Sequence, residues 1–237
     1  MDPTAEMAAF REAIRSGEPA VGGWVSIGHP AVAEITGAAG YDFVTVDMEH
    51  AANSIETVEN LVRAVDAAGE AVPIVRLPTA DPVTIKRVLD TGAGGIMVPR
   101  VDSAETAANV VEATQYPPAG VRGTAAGRAS EYGRTFPTYL EEADDALTRI
   151  VQVETRAAVE AAGDIAGVEG VDALFVGPNE DVPVGVFATE HDRLDDWLAM
   201  GFDFAIVGFD AAFLVERNER IRSAFERAAA ERDGTRR

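Results

Sequence analysis

The stretch "DFVTVDMEHAANSIETVENLVRAVDAAGEAVPIVRLPTADPVTIKRVLD", residues 42–90, holds two strand–helix units in succession. "DFVTVD" (42–47) and "VPIVRL" (72–77) are short, rich in β-branched residues and apolar on both faces, as strands buried in a parallel sheet are. Segments 54–68 and 81–91 carry apolar residues at helical spacing. Asp81 followed by Pro82 supplies an N-cap and a proline at the first helical position. "SIET" from Ser54 fits a helix start, with the capping-box acid displaced by one position. Gly69 and Gly92 stand just past the helices, where a left-handed C-cap is wanted. Parallel neighbours need a crossover of this size, normally a helix.

Outward from this stretch the alternation continues. Further strands are expected at 21–27, 94–99, 148–154, 171–177, 182–188 and 203–209, and further helices at 4–16, 30–39, 103–115, 155–163, 190–200 and 210–230. Eight strands with helices between them predict an α/β protein, a (β/α)8 TIM barrel, as one domain over residues 1–237 with a charged tail from about 230. A doubly wound open sheet is the alternative. No GxGxxG follows the first strand and no P-loop occurs, so neither a dinucleotide nor an NTP site is indicated.

Two regions break the rhythm. Residues 117–136, "PPAGVRGTAAGRASEYGRTF", read as a long Gly- and Arg-rich loop of the kind that is usually functional or disordered. In "VDALFVGPNEDVPVGVFA", residues 171–188, only "PNEDVP" separates the sixth strand from the seventh. So short a piece cannot hold a crossover helix, and the barrel is predicted to lack the helix between strands 6 and 7. Irregular pairing is expected there: a tight distorted crossover, an antiparallel hairpin, or a seventh segment displaced from the barrel.

Composition narrows the function. With 47% hydrophobic and only 7% aromatic residues, the core is built mostly of Val, Ala, Leu and Ile. No stretch approaches a membrane span, and "MDPTAEMAAFREAIRSGEP" is charged and amphipathic without a signal-peptide core, so a cytoplasmic protein is expected. The absence of cysteine excludes disulfides, thiolate metal sites and a Cys nucleophile. A net charge of −20 argues against nucleic-acid or membrane partners. Lys86 is the only lysine, and the rest of the basic residues are arginine. An acidic, lysine-poor chain resembles the proteins of salt-loving organisms, although a GC-rich genome also favours Arg over Lys.

In a parallel barrel the reactive face lies at the C-terminal ends of the strands. Those ends carry Asp47, Glu49 and His50 (second strand), Arg76 (third), Gln152 and Glu154 (fifth), and Asn179, Glu180 and Asp181 (sixth). Arg76 ends a buried run and needs a carboxylate or an anionic ligand. Glu154 has the converse need, which a divalent cation would meet. Lys86 sits inside a helix, not at a strand end, so imine chemistry is not expected. Carbanion chemistry here would need a metal ion to polarise a carbonyl, and Glu154 with Glu180 is an oxygen-ligand pair suited to Mg2+, Mn2+ or a similar ion.

At these residues the chain resembles the HpcH/HpaI aldolase family of metal-dependent pyruvate aldolases acting on 4-hydroxy-2-oxo acids. The resemblance runs through "GGWVSIGHPAVAEITGAAGYDFVTVDMEHA", "PIVRLPTADPVTIKRVLDTGAGGIMVPRV", "QYPPAGVRG", "VQVETRAAVE", "VEGVDALFVGP" and "GFDFAIVGFDAAFL", which cover most of the chain in order. It implies a TIM barrel, a homo-oligomer (a hexamer with exchanged helices, or a trimer), and a divalent cofactor, Mg2+, Mn2+ or Co2+. It further implies His50 as acid/base, Asp90 as the residue raising its basicity, Arg76 as the stabiliser of oxyanion charge, Gln152 and Asn179 for the oxo-acid substrate, and Glu154 and Glu180 for the metal. The family pattern Gly-Pro-Ala-Asp-Leu reads "GPNED" here, so Asn179 replaces a small residue and Glu180 replaces the Asp ligand. The family's sixth helix is missing as well. Three activities are therefore expected in turn: a class II aldolase releasing pyruvate and an aldehyde, a catalytically impaired binding or assembly subunit, and a citrate-lyase-type acyl-CoA lyase.

Overall fold

In a computed structural model of the chain, residues 3–175, 183–188 and 193–234 are described. The chain opens with α1 (Pro3–Arg15), and then strands and helices alternate. β1 (Ala20–Val25), α2 (Pro30–Gly37), β2 (Phe43–Asp47), α3 (Ile55–Ala68), β3 (Val72–Arg76), α4 (Pro82–Leu89), β4 (Gly95–Val98) and α5 (Ala104–Thr114) form the first half. After a 3-10 segment (Arg128–Gly133) come α6 (Phe136–Ala146), β5 (Thr148–Gln152), α7 (Arg156–Glu160), α8 (Ala162–Ala166) and β6 (Ala173–Phe175). β7 (Val184–Ala188), α9 (Leu194–Ala199), β8 (Phe204–Val207) and α10 (Asp210–Gly234) complete it. The eight strands close into one barrel in sequence order, every neighbouring pair parallel.

Local chemistry starts the helices where the sequence says it should. Ser54, Asp81 and Ser103 each accept the backbone N–H three residues on, at Thr57, Thr84 and Thr106. Alternation along the strands then sorts side chains to two sides of the wall. Val44, Val46, Val75, Ile96, Val98 and Val151 pack outward against the helices. Phe43, Ile74, Met97, Ile150, Phe204 and Ile206 fill the barrel interior, and Phe10 and Ile14 of α1 plug its N-terminal end. Two glycines make room for the interior rings. A Cβ at Gly22 would lie 2.3 Å from Phe43 Cζ, and one at Gly185 would lie 2.1 Å from Phe204 Cε2.

The connection from β6 to β7 takes the parallel form. Leu174 pairs with Val184 and Phe175 with Gly185, and β7 pairs onward with β8 over four residues. A hairpin and a displaced strand are both excluded, and the ladder, though short, is regular rather than irregular. In the sequence eight residues, 176–183, separate β6 from β7, and the expected absence of a helix there falls on 176–182, outside the described residues.

Three expectations change. The loop expected at 117–136 contains a 3-10 segment, in which Glu131 and Tyr132 adopt left-handed backbone (φ 50° and 58°). It is followed by α6, which the sequence reading missed; Tyr139, Ala143 and Ala146 recur at helical spacing on its buried face. The helix expected at 155–163 is two short ones, α7 and α8, meeting at Ala161. The last helix, expected over 210–230, runs on to Gly234. Along α10, Phe213, Leu214, Val215, Ile221 and Phe225 are exposed. Among the described residues, no helix is long and apolar enough to cross a membrane.

Candidate functional site

The β2–β3 register places Asp47, the last residue of β2, opposite Arg76, the last of β3. The guanidinium meets the carboxylate fork to fork: Nε donates to Asp47 Oδ1 (2.9 Å) and Nη2 to Oδ2 (2.8 Å). Asp47 Oδ1 also accepts the backbone N–H of Glu49 (2.9 Å) and of His50 (3.4 Å), an Asx turn that folds "DMEH" back over the strand end. Asn53 Nδ2 donates to the Asp47 carbonyl (2.8 Å) and to the Ser26 carbonyl (3.4 Å), tying the ends of β2 and β1 together. On its other side Arg76 Nη1 lies 3.1 Å from Glu49 Oε2, and the guanidinium carbon stands 4.5 Å from the centre of the Trp24 ring. Two carboxylates and an aromatic face thus hold this largely buried cation in one orientation. The need for a partner that the sequence showed at Arg76 is met.

His50 stands beside this group. Its side chain is 77% exposed and its Nε2 is 3.9 Å from Glu49 Oε1, so the imidazole opens toward the mouth of the barrel. Across from it, Gln152 ends β5 and is buried, and its Oε1 has no hydrogen-bond partner. Glu49 Oε2 likewise lacks a hydrogen bond despite its proximity to Arg76. Glu154 has a carboxyl raised above the ordinary range, by partial burial first and by the negative charge of Glu49 second, against the lowering pull of Arg76, Arg100 and His50. One face therefore gathers orphaned oxygen acceptors and two mutually repelling carboxylates around a fixed guanidinium.

That donor set is of the kind a hard divalent cation takes, carboxylate and amide oxygens without sulfur. Among the described residues, no three His, Cys, Asp or Glu side chains form a closed cluster. Glu154 is the described carboxylate that fits a metal. Glu180, expected as the second ligand, Asn179, expected at the substrate, and Asp181 all lie outside the described residues.

Asp90 does not join this group within the chain. It is the C-cap of α4, ahead of β4, and so belongs to the N-terminal end of the barrel rather than the end that carries His50. There its Oδ1 accepts from Arg122 Nη2 (3.1 Å) and its carbonyl from the Ala129 N–H (3.3 Å). Lys86 is carried on α4 outside the barrel, as the sequence implied. A cleft of about 560 Å3 also opens at the N-terminal end, where Glu6, Phe10, Tyr41 and Asp42 line it, remote from the strand-end carboxylates.

Several residues of the site were not singled out from sequence. Trp24 read only as part of a strand, and its contact with Arg76 depends on β1 and β3 flanking β2 in the sheet. Asn53 is one polar residue in a loop, and Arg100 carries the unusual φ of 57° just after β4. Asp210, first residue of α10, accepts the N–H groups of Ser26 (3.0 Å) and Ile27 (2.7 Å) on Oδ2 and pins the loop after β1. None has a motif; only the spatial assembly reveals them.

Known proteins bear on the same face. The model of the HpcH/HpaI aldolase/citrate lyase family matches residues 21–184. A 4-hydroxy-2-oxovalerate aldolase of Novosphingobium aromaticivorans is 44% identical over 170 residues, 72% of this chain and 64% of that protein. A 4-hydroxy-2-oxo-heptane-1,7-dioate aldolase of Salmonella dublin is 42% identical over 172 residues, 72% of this chain and 65% of that protein. The chain thus spans about two thirds of the length of these relatives. The crystal structure of an HpcH/HpaI aldolase/citrate lyase family protein from Burkholderia cenocepacia superposes with a TM-score of 0.87 at 30% identity, covering 92% of this chain and 99% of that one.

Proposed function

This chain belongs to the HpcH/HpaI aldolase/citrate lyase family, and on that premise we propose that it is a carbon–carbon lyase of the class II aldolase type. Its reaction is cleavage of a 4-hydroxy-2-oxo acid to pyruvate and an aldehyde. The observation that carries the reading is the strand-end face itself: Arg76 fixed by Asp47 and Trp24, beside unsatisfied acceptors on Glu49 and Gln152 and the raised carboxyl of Glu154.

Glu154 and Glu180 would hold a divalent cation, Mg2+, Mn2+ or Co2+. When bound, the cation supplies Lewis-acid polarisation of the 2-keto group. The chain's own residues do the rest. Arg76 presents a preorganised guanidinium to the substrate oxygen on which negative charge collects, and its fork to Asp47 means no reorganisation is needed as that charge grows. Gln152 offers an amide at the floor of the mouth for the oxo acid, a role the resemblance gives to Asn179 as well. His50 takes the proton of the C4 hydroxyl, directly or through a water. The C3–C4 bond then breaks, its electron pair passes to the pyruvate half, and the aldehyde leaves. The imidazolium returns its proton to C3. The dyad with Asp90 that the resemblance implies has no support from the position of Asp90 in a single chain.

The same reading makes the protein a cytoplasmic homo-oligomer. The apolar residues exposed along α10 support assembly, and the charge of −20 supports a salt-rich setting. A second reading, an impaired member that binds metal and oxo acid without turnover, is favoured by the eight-residue link between β6 and β7 and by Glu180 in place of Asp. The test is pyruvate release from 4-hydroxy-2-oxo acids with added Mn2+, Mg2+ or Co2+, with and without EDTA, in low and high salt. EDTA-sensitive turnover is expected. Metal binding without turnover of any substrate moves the assignment to the second reading.

A further inference from the structure

The mouth of the barrel has two unlike walls. β2, β3 and β5 contribute Asp47, Glu49, His50, Arg76, Gln152 and Glu154. The wall formed by β7, β8 and β1 contributes rings. Trp24 of β1 packs edge-to-face on Phe187 of β7 (centroids 5.4 Å apart, planes at 78°), and Phe187 continues to Phe209, just past β8 (6.5 Å). Trp24 is also the ring under the Arg76 guanidinium, so the aromatic row starts at the charged centre and runs away from it. Trp24 is buried, Phe209 is half-buried, and Phe187 is 36% exposed. The most exposed ring of the row is therefore its middle member, Phe187.

Charge on this side is as telling as the rings. Among the described residues, β1, β7, β8 and the Gly208–Phe209 step after β8 carry no lysine or arginine. Arg193, the first guanidinium after β7 in the sequence, is turned onto Asp196 (3.5 Å) and the Trp197 ring (5.9 Å). Arg76 stands in the charged wall with Asp47 and Glu49, where the pyruvate half is placed, and Arg100 belongs with Glu154 on the far side. Against the described residues of this wall a carboxylate would lose hydration without gaining a cation, whereas an apolar chain would gain ring contact.

We propose that Trp24, Phe187 and Phe209 form the subsite for the aldehyde half of the substrate, and that this subsite selects an uncharged, apolar aldehyde over a carboxylate-terminated one. Phe187 is the specificity-determining residue. The inference rests on the aldolase reading above, with the pyruvate half held at Arg76, Gln152 and Glu154.

The test compares pyruvate addition to pentanal and to 4-oxobutanoate, which are matched in length, with Mn2+ present. Exchange of the pyruvate C3 protons in D2O, without aldehyde, is run alongside. The expected result is C3 exchange together with kcat/KM favouring pentanal by about tenfold or more, mostly through KM. Phe187→Arg should reverse that preference, and Phe187→Leu, which keeps an apolar side chain and folds more safely, should weaken it without reversal. Exchange in the wild type combined with equal use of the two aldehydes overturns the subsite alone. So does an unchanged ratio in both variants. Absence of exchange in the wild type defeats the aldolase reading, and the subsite falls with it.

Discussion

The two ends of the barrel each hold a buried arginine–aspartate group, and they are finished differently. At the N-terminal end the group around Asp172 uses its donors and acceptors, although Arg122, paired with Asp90 nearby, leaves Nε and Nη1 without partners. Asp172 accepts from Arg11 Nε and Arg15 Nη1 on one oxygen (both 2.9 Å) and from the Arg149 N–H on the other (2.8 Å). The Arg149 guanidinium spends its donors on Thr114 Oγ1 and on the Leu147 and Asp144 carbonyls. Burial pushes the Arg149 pKa down only to about 10, with Asp172 opposing, so it stays charged at neutral pH. At the C-terminal end Arg76 and Asp47 are equally well paired, yet Glu49 Oε2 and Gln152 Oε1 stay unsatisfied and Glu154 is held protonated more easily than an ordinary carboxylate. A closed network stabilises a fold. An open one, with buried acceptors left over, is what a ligand site looks like before its ligand arrives.

Substitutions should therefore separate the two ends. The largest effect is expected from His50→Ala, which should lower kcat by about 10²–10⁴-fold while leaving the urea midpoint in place, because the imidazole is exposed and holds nothing together. Steady-state kinetics and urea unfolding on the same preparation check both halves. Asp172→Ala should do the converse. It strands Arg149 with Arg11 and Arg15, and should cost about 3–5 kcal/mol of stability, read as a lowered urea midpoint with kcat per folded molecule unchanged. Gly185→Ala probes the interior between the two ends. Its Cβ would meet Phe204 at 2.1 Å, for an expected cost of about 1–3 kcal/mol by the same measurement.

The barrel was legible because its signals are local: caps at Ser54, Asp81 and Ser103, glycines at the helix ends, and β-branched runs between them. α6 was not legible. Its short amphipathic pattern follows directly on the Gly-Arg-rich loop, and its buried face is defined by contact with Tyr116, whose ring lies 6.4 Å from that of Tyr139. At the site, residue types at strand ends were readable, and so was the unmet charge of Arg76. What it pairs with was not, since the opposition of Asp47 and Arg76 follows from register, and the stacking on Trp24 from the placing of β1 and β3 on either side of β2. Asp90 shows the limit from the other side. Its place in a motif suggested the company of His50, but a helix C-cap ahead of a strand lies at the opposite end of the barrel.

The smallest expected effect has the most informative sign. A carboxyl whose pKa is raised on folding binds its proton more tightly in the folded chain. Glu154 therefore disfavours the folded state above that raised pKa, and the penalty fades as pH falls through it. Glu154→Gln should raise the thermal midpoint slightly at neutral pH and flatten its pH dependence on the acid side, as followed by circular dichroism.

The account turns on whether this open cluster is a cation site. Titration calorimetry of Mn2+ into wild type and Glu154→Gln, at several pH values and in buffers of different ionisation enthalpy, addresses it directly. One site is expected in the wild type. Its affinity should weaken as pH falls, starting at a higher pH than an ordinary carboxylate would give, with proton release where Glu154 is partly protonated and loss of binding in Glu154→Gln. Equal Mn2+ affinity in the two proteins, or no binding in either, would contradict it.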